Sequence, residues 1–372
     1  MNSTDKLFLL DAYALIYRAY YAFIKNPRIN SKGFNTSAIL GFVNTLEEVL
    51  KKENPTHIGV AFDPSGPTFR HEAYEQYKAQ REETPEAIRL SVPIIKDIIR
   101  AYRIPILEVP GYEADDVIGT LATEAGRQGI VTYMMTPDKD YGQLVSENIF
   151  MYRPKHSGGF EVMGIEEIKA KFDIQSTEQV IDMLGLMGDS SDNIPGCPGV
   201  GEKTAQKLVA EFDSIENLLA HTDQLKGALK TKVEANREMI TFSKFLATIK
   251  VDVPIKLDMT TLVREEPDEE KLRKIFEELE FRTLIDRVLK KSGAPLSSSS
   301  NSVSPDLYAG TLFARPVDSP TPENNGPVQG DLFANFADNG TGNAENSNLT
   351  HLEMLDVDYQ LIDTEEKRSE II

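Results

Sequence analysis

Ile104-Pro-Ile-Leu-Glu-Val-Pro-Gly-Tyr-Glu-Ala-Asp-Asp-Val-Ile-Gly119 is the stretch whose reading decides the fold. A short β-prone run over 106–109 turns at Gly111 into a helix start that carries Glu113, Asp115 and Asp116. Strand-like runs that end in acids recur: Asp11 follows Leu7-Phe-Leu-Leu10, Asp63 follows Ile58-Gly-Val-Ala-Phe62, and Asp138 with Asp140 follows Val131-Thr-Tyr-Met-Met135. Between them lie segments with apolar residues at helical spacing, such as Ile39, Phe42, Val43, Leu46, Val49 and Leu50. Strand and helix therefore alternate from 6 to 153, which predicts an α/β fold with a mostly parallel central sheet flanked by helices. In such a sheet chemistry collects in the crevice beyond the carboxyl ends of the strands, so these acids should meet in space.

Working outward, the pattern predicts strands over 6–10, 57–62, 106–109 and 131–135, with helices over 14–22, 37–51, 85–102 and 114–125. From 165 to 290 helical patterns dominate, and strand-like pieces fall only at 149–152, 160–163 and 248–253. A metal-binding α/β core over 1–163 and a helical extension over 164–291 follow from this change of pattern. The segment 292–350 is rich in Ser, Asn, Gly, Pro and Asp and reads as a flexible linker. After it, 351–372 reads as a strand and the first turns of a helix, the truncated start of another domain.

Carboxylates gathered a few ångströms apart share protons or bind cations, and an all-oxygen donor set suits Mg²⁺ or Mn²⁺ better than Zn²⁺. One acidic helix start is ordinarily a cap; its repetition after several strands points to a divalent-metal site. In Thr136-Pro-Asp-Lys-Asp-Tyr-Gly142 the acids Asp138 and Asp140 are two apart, which in extended chain aims both to one side. An EF-hand loop does not fit, since Ile149 stands where the bidentate Glu belongs; a turn without a ligand remains the alternative. In Gly188-Asp-Ser-Ser-Asp-Asn-Ile-Pro-Gly-Cys-Pro-Gly-Val-Gly-Glu-Lys-Thr-Ala205 the pair Asp189 and Asp192 can face one way, and Gly199 and Gly201 lead into a helix with Lys203, Thr204 and Lys207. Glycines and a helix start bind phosphate through backbone N–H groups without reading bases; the alternative is a plain helical corner.

The segment 68–81 carries Arg70, Tyr74, Tyr77, Lys78 and Arg81 at helical spacing. That pairing of phosphate-binding charge with aromatic faces suits unpaired nucleic acid; a solvated amphipathic helix is the competing reading. A net charge of −19 over 372 residues argues weakly against such a partner, because 13 acids and only 3 basic residues lie in 292–372. The lone Cys197 excludes an internal disulfide framework and suits a reducing cytoplasm; no neighbouring His makes it a nucleophile. No apolar run approaches the roughly 20 residues that span a bilayer, so the expectation is a cytoplasmic protein without a membrane partner, and nothing in its size forces more than a monomer.

The runs 111–119, 136–143, 188–205 and Phe69-Arg-His-Glu-Ala-Tyr-Glu-Gln-Tyr-Lys-Ala-Gln-Arg81 together resemble the N-terminal 5′ nuclease domain of bacterial DNA polymerase I, a relative of flap endonucleases. The resemblance covers about 6–290. It implies a PIN-like nuclease core, a helical arch within 68–102 that receives a single-stranded 5′ end, and a helix-two turns-helix element at 189–211 that grips duplex DNA and in the family often holds K⁺. It further implies two divalent ions: Asp11, Asp63, Glu113 and Asp115 around the first, Asp138, Asp140, Asp189 and Asp192 around the second, with Asp116 in an outer role. Lys78 and Arg81 are implied at the scissile phosphate.

The implied activity is metal-dependent hydrolysis of 5′ flaps and RNA primers at RNA–DNA junctions, leaving 5′-phosphate and 3′-hydroxyl ends in replication and repair, with a polymerase domain in cis. The chain departs from the family at Cys197-Pro198 and at Tyr141, where leucine is common. Gln329-Gly-Asp-Leu-Phe333 resembles a sliding-clamp peptide, with Gln329, Leu332 and Phe333 as its contacts, although Gly330 replaces the usual leucine. Asp363-Thr-Glu365 mimics a proofreading motif but lacks partner acids. A DNA-holding module without catalysis and a small-molecule phosphatase are the rival classes; the former gains nothing from acids facing phosphate, and the latter has no use for the arch.

Overall fold

The structure, a computed structural model, describes residues 5–155 and 158–289. The expected linker, the segment 351–372 and the clamp-like Gln329, Leu332 and Phe333 lie outside the described residues.

Six strands form one sheet in the order β3-β2-β1-β4-β5-β6: β1 (Lys6–Asp11), β2 (His57–Ala61), β3 (Ile106–Leu107), β4 (Val131–Met135), β5 (Ile149–Pro154) and β6 (Phe160–Met163). All neighbours pair in parallel except β5 with β6. The expected strand over 106–109 is shorter in the structure, because β2 shares its free edge: β3 pairs only Val60 and Ala61, while Ile58 N–H donates to Leu262 O at 2.8 Å. The expected strand at 248–253 does not form. Its N–H groups are taken by side chains instead, Ile249 by Gln143 Oε1, Lys250 by Asp116 Oδ1 and Val253 by Thr120 Oγ1, at 2.8–3.1 Å.

β1 is the central strand, and its period of two sorts the core into two layers. Phe8 and Leu10 face α1 (Ala12–Ala22), α2 (Ser37–Lys52) and α4 (Glu86–Ala101), and α12 (Glu269–Glu278) and α13 (Arg282–Leu289) close that side. Leu7 and Leu9 face α5 (Ala114–Arg127) and, beyond it, α6 (Ile165–Phe172), α7 (Gln179–Met187), α8 (Glu202–Phe212), α9 (Ile215–Ala220), α10 (Gly227–Ala235) and α11 (Arg237–Ala247). The helical half is therefore continuous with one layer of the sheet core.

The arch segment differs from expectation. It forms only the five-residue α3 (Phe69–Ala73); Tyr74 is extended and Lys78 has φ +56°, so the helical spacing of its basic and aromatic residues is not realised past Ala73. α4, expected within the arch, buries Ile88, Ile95, Ile98 and Ile99 against the sheet layer and belongs to the core.

Candidate metal centre and nucleic-acid interface

The strand order reverses between β1 and β4, and at such a switch point the carboxyl ends of parallel strands are where ligands bind. Asp11 ends β1 at that point. Its Oδ1 accepts the Ala14 N–H at 3.1 Å and caps α1, while its Oδ2 accepts from Thr136 Oγ1 at 3.2 Å and from the Tyr141 hydroxyl at 3.1 Å. Asp63, just beyond β2, accepts the Ala114 N–H at 2.7 Å, which sets its charge on the positive end of α5. Glu113 caps that helix, and Asp115 stands in its first turn.

Asp138 and Asp140 do not lie in extended chain as expected. Asp138 accepts from Asp140 N–H at 3.0 Å and so opens a 3-10 turn over Lys139–Leu144. Asp189 and Asp192 sit in a turn closed by the Asp189–Ile194 backbone bridge. Gly188 and Gly196 cross at the base of this turn. A Cβ on Gly196 would fall 2.3 Å from Gly188 N, and one on Gly188 would fall 2.4 Å from Ile194 O, both at positive φ; no side chain fits there.

The chain's own cations neutralise part of this acid set. Lys78 Nζ lies 2.8 Å from Glu113 Oε1 and 3.7 Å from Asp192 Oδ2, Arg81 pairs with Asp192, and Lys139 Nζ lies 2.6 Å from Asp189 Oδ2. Backbone contacts reinforce these pairs: Lys78 N–H donates to Asp192 O at 3.0 Å, and Asn193 Nδ2 to Gln76 O at 2.7 Å. Segment 74–81 is thereby fastened to the acid turn. Burial alone would raise the Asp192 carboxyl, but Lys78 and Arg81 overcome it and hold it at about 2; burial likewise opposes Lys78 and Arg70 at Glu113, which stays below the ordinary range.

Asp11, Asp115 and Asp140 have no such ion pair among those described. Burial and the neighbouring Asp63 push Asp11 up to about 7. Asp115 is raised well above its usual value by burial and Asp116, and Asp140 by burial and Asp138. Asp140 Oδ1 is buried without a hydrogen-bond partner, an orphaned oxygen of the kind that an ion satisfies. Carboxylate oxygens of Glu113, Asp115 and Asp116 lie within 4.8 Å of one another. An oxygen-only donor set, an orphaned buried acceptor and several carboxyls pushed toward neutrality fit hard divalent cations.

Asp116 belongs to that trio only from behind. It is fully buried, its two oxygens accept from Arg70 at 2.8 Å each, and Glu113 N–H and Lys250 N–H complete its partners. Arg70 requires a correction: expected on DNA, it is 1% exposed and binds Asp116, Glu113, Leu246 O and Thr248 O. A guanidinium so enclosed has no donor to offer a phosphate. Tyr77 requires another. Its ring is buried and its hydroxyl, with one proton to donate, lies 3.0 Å from a Glu113 carboxylate oxygen and 3.2 Å from one of Asp192, so no face is open to a base. Tyr74 is half-buried, edge-on to Phe242.

Around α8 the expected residues are where a phosphate could reach them. Gly199 and Gly201 are exposed, α8 starts directly after Gly201, and Lys203 and Lys207 are exposed on its first two turns with Thr204 half-buried between them. Sequence reasoning missed three residues that shape the site: Thr136, Lys139 and Tyr141. All three sit inside the motif that supplies Asp138 and Asp140, and Tyr141 was visible as an unusual residue there.

Comparison with known proteins agrees with this geometry. Residues 6–173 match the family model for the 5′-3′ exonuclease N-terminal resolvase-like domain, and residues 175–270 match that for the 5′-3′ exonuclease C-terminal SAM fold. DNA polymerase I of Bacillus caldotenax is 41% identical over 286 residues, covering 76% of this chain and 32% of that protein, so the chain spans about a third of that relative's length. A 5′-3′ exonuclease of Aquifex aeolicus is 37% identical over 284 residues, covering 76% of this chain and 95% of that protein. A bacteriophage T5 flap endonuclease, solved with DNA and metal ions, shares the fold with a TM-score of 0.56 at 19% identity over 74% of this chain and 99% of that one. With family models spanning both the sheet and the helical half, and an exonuclease matched along nearly its whole length, the chain belongs to the 5′-3′ exonuclease family.

Proposed function

We propose that the chain hydrolyses phosphodiesters at 5′ flaps and RNA–DNA junctions of branched duplex DNA, leaving 5′-phosphate and 3′-hydroxyl ends. What supports this reading is that acids from five separate stretches act on one another's charge, Asp11 with Asp63 and Asp138, Asp63 and Asp192 with Glu113, and Asp138 with Asp189 and Asp192, and that Asp140 Oδ1 is unpartnered. Asp11, Asp63, Glu113 and Asp115 on one side, and Asp138, Asp140, Asp189 and Asp192 on the other, would hold two Mg²⁺ or Mn²⁺ ions. Such ions supply a lowered pKa for the attacking water and charge stabilisation for the departing 3′ oxygen.

The protein's own part is binding and positioning. Lys78 and Arg81, paired to Glu113 and Asp192, would exchange these carboxylates for oxygens of the scissile phosphate. Gly199, Gly201, Lys203, Thr204 and Lys207 hold the duplex backbone without reading sequence, and K⁺ at this element is a further part of the reading. In a longer protein the domain would act beside a polymerase domain, and Gln329, Leu332 and Phe333 would present a clamp peptide.

Cleavage of a 5′-flap duplex in Mg²⁺ tests the assignment. Asp115→Asn combined with Asp138→Asn is expected to lower the rate by at least about 10³-fold, while the duplex is still bound. Undiminished cleavage by the double variant would remove the metal reading. Tight binding without cleavage by the unaltered chain would favour a DNA-holding module.

A further inference from the structure

Asp11 is held by more donors than a helix cap needs. An ionised carboxylate has about four lone-pair sites, two on each oxygen. Oδ2 accepts from both Thr136 Oγ1 at 3.2 Å and Tyr141 OH at 3.1 Å, so both of its sites are taken. Oδ1 accepts only the Ala14 N–H at 3.1 Å and keeps one site free. Tyr141 is 1% exposed and Thr136 fully buried, so neither donor turns away to water. The carboxylate therefore has a single oxygen to offer a cation.

Mg²⁺ takes near-octahedral, one-oxygen carboxylate ligands, whereas Ca²⁺ accepts six to eight oxygens and readily uses both oxygens of one carboxylate. We propose that Tyr141 is a positioning residue that restricts Asp11 to one-oxygen ligation and thereby biases the centre toward Mg²⁺ over Ca²⁺. The proposal rests on the reading above that Asp11 is a metal ligand. Its chemistry is local: loss of the phenol hydroxyl frees a lone pair on Oδ2 and leaves the buried ring in place.

The test is equilibrium binding of Mg²⁺ and of Ca²⁺, each alone, to the full chain without nucleic acid, for the unaltered protein, Tyr141→Phe, Thr136→Val and Asp11→Asn. The expected result is that Tyr141→Phe narrows the Mg²⁺/Ca²⁺ affinity ratio by about tenfold, at the low end of what loss of an outer partner costs a metal site, mainly through tighter Ca²⁺ binding. Thr136→Val, which removes the other donor to the same oxygen, should shift the ratio in the same direction, and it serves as the test if Tyr141→Phe does not fold. A merely structural tyrosine would lower the melting temperature and leave the ratio alone. Asp11→Asn should weaken both ions. If Asp11→Asn weakens binding while Tyr141→Phe and Thr136→Val leave the ratio unchanged, the role given to Tyr141 is overturned and Asp11 stays a ligand. If Asp11→Asn changes neither affinity, the ligand reading itself fails.

Discussion

Arg70 shows how far a single charged side chain can depart from what its neighbours in sequence suggest. Within a basic, aromatic stretch it reads as a phosphate contact, yet its guanidinium forks onto both oxygens of Asp116 and reaches the carbonyls of Leu246 and Thr248, more than 170 positions away. Breaking a buried, hydrogen-bonded pair strands the partner charge and costs about 3–5 kcal/mol. Arg70→Met is therefore expected to lower the unfolding free energy by an amount in that range, read from urea denaturation. Combining it with Asp116→Leu should recover part of the loss, because no lone charge then remains buried. A loss confined to DNA affinity, with unchanged stability, would restore Arg70 to the DNA-contacting set.

At the scale of elements, the turn from α7 to α8 depends on two backbones touching. Gly196 at φ +64° leaves 2.3 Å between its ideal Cβ and Gly188 N, while Gly201 has φ −98° and open space around it. Gly196→Ala should cost about 2 kcal/mol or more through strain and displaced backbone, and should release the Asp189–Asp192 turn that the crossing supports. Gly201→Ala should cost no more than about 0.5 kcal/mol. Thermal melting of the two variants side by side measures the contrast. The same scale explains the arch: past Ala73 the chain closes only i+3 turns, Tyr77 N–H on Tyr74 O, Ala79 N–H on Gln76 O and Arg81 N–H on Lys78 O, while Lys78 N–H is given to Asp192 O of the acid turn, so no helix continues.

At the scale of the whole molecule, the acid basin is a tertiary property with a pH signature. Asp11, raised to about 7, and Asp115 and Asp140, raised well above their usual values, bind protons in the fold that the unfolded chain releases near pH 4. Their contribution favours the ion-free fold at low pH and is lost as pH climbs from about 4 to about 7. Asp192, held at about 2, acts oppositely, but only below about pH 4, where its paired charge is protonated away. The metal-stripped chain is thus expected to melt at a higher temperature at about pH 5.5 than at about pH 7.5. Millimolar Mg²⁺ should raise the melting temperature more at the higher pH, where the carboxylates are ionised and free to bind it. Equal Mg²⁺ effects at both pH values would contradict a shared basin.

Much of this protein was legible in the chain itself. Alternating runs such as Leu7 to Leu10, and the helical spacing from Ile39 to Leu50, are local patterns whose burial is dictated by period, so the strands β4 and β6 and the helices around the sheet could be read within a few residues. The placement of acids after successive strands was also enough to expect them at one end of the sheet, because parallel strands deliver their ends to one side. What only the tertiary structure decided is which partner each charge meets. Tyr77 turns inward to Glu113, Tyr141 and Thr136 saturate one oxygen of Asp11, and Lys139 answers Asp189 across 50 positions. Periodicity says which face of an element is buried; it carries no information about the distant group that a buried polar atom needs, and for a charge in a low-dielectric interior that partner determines its role.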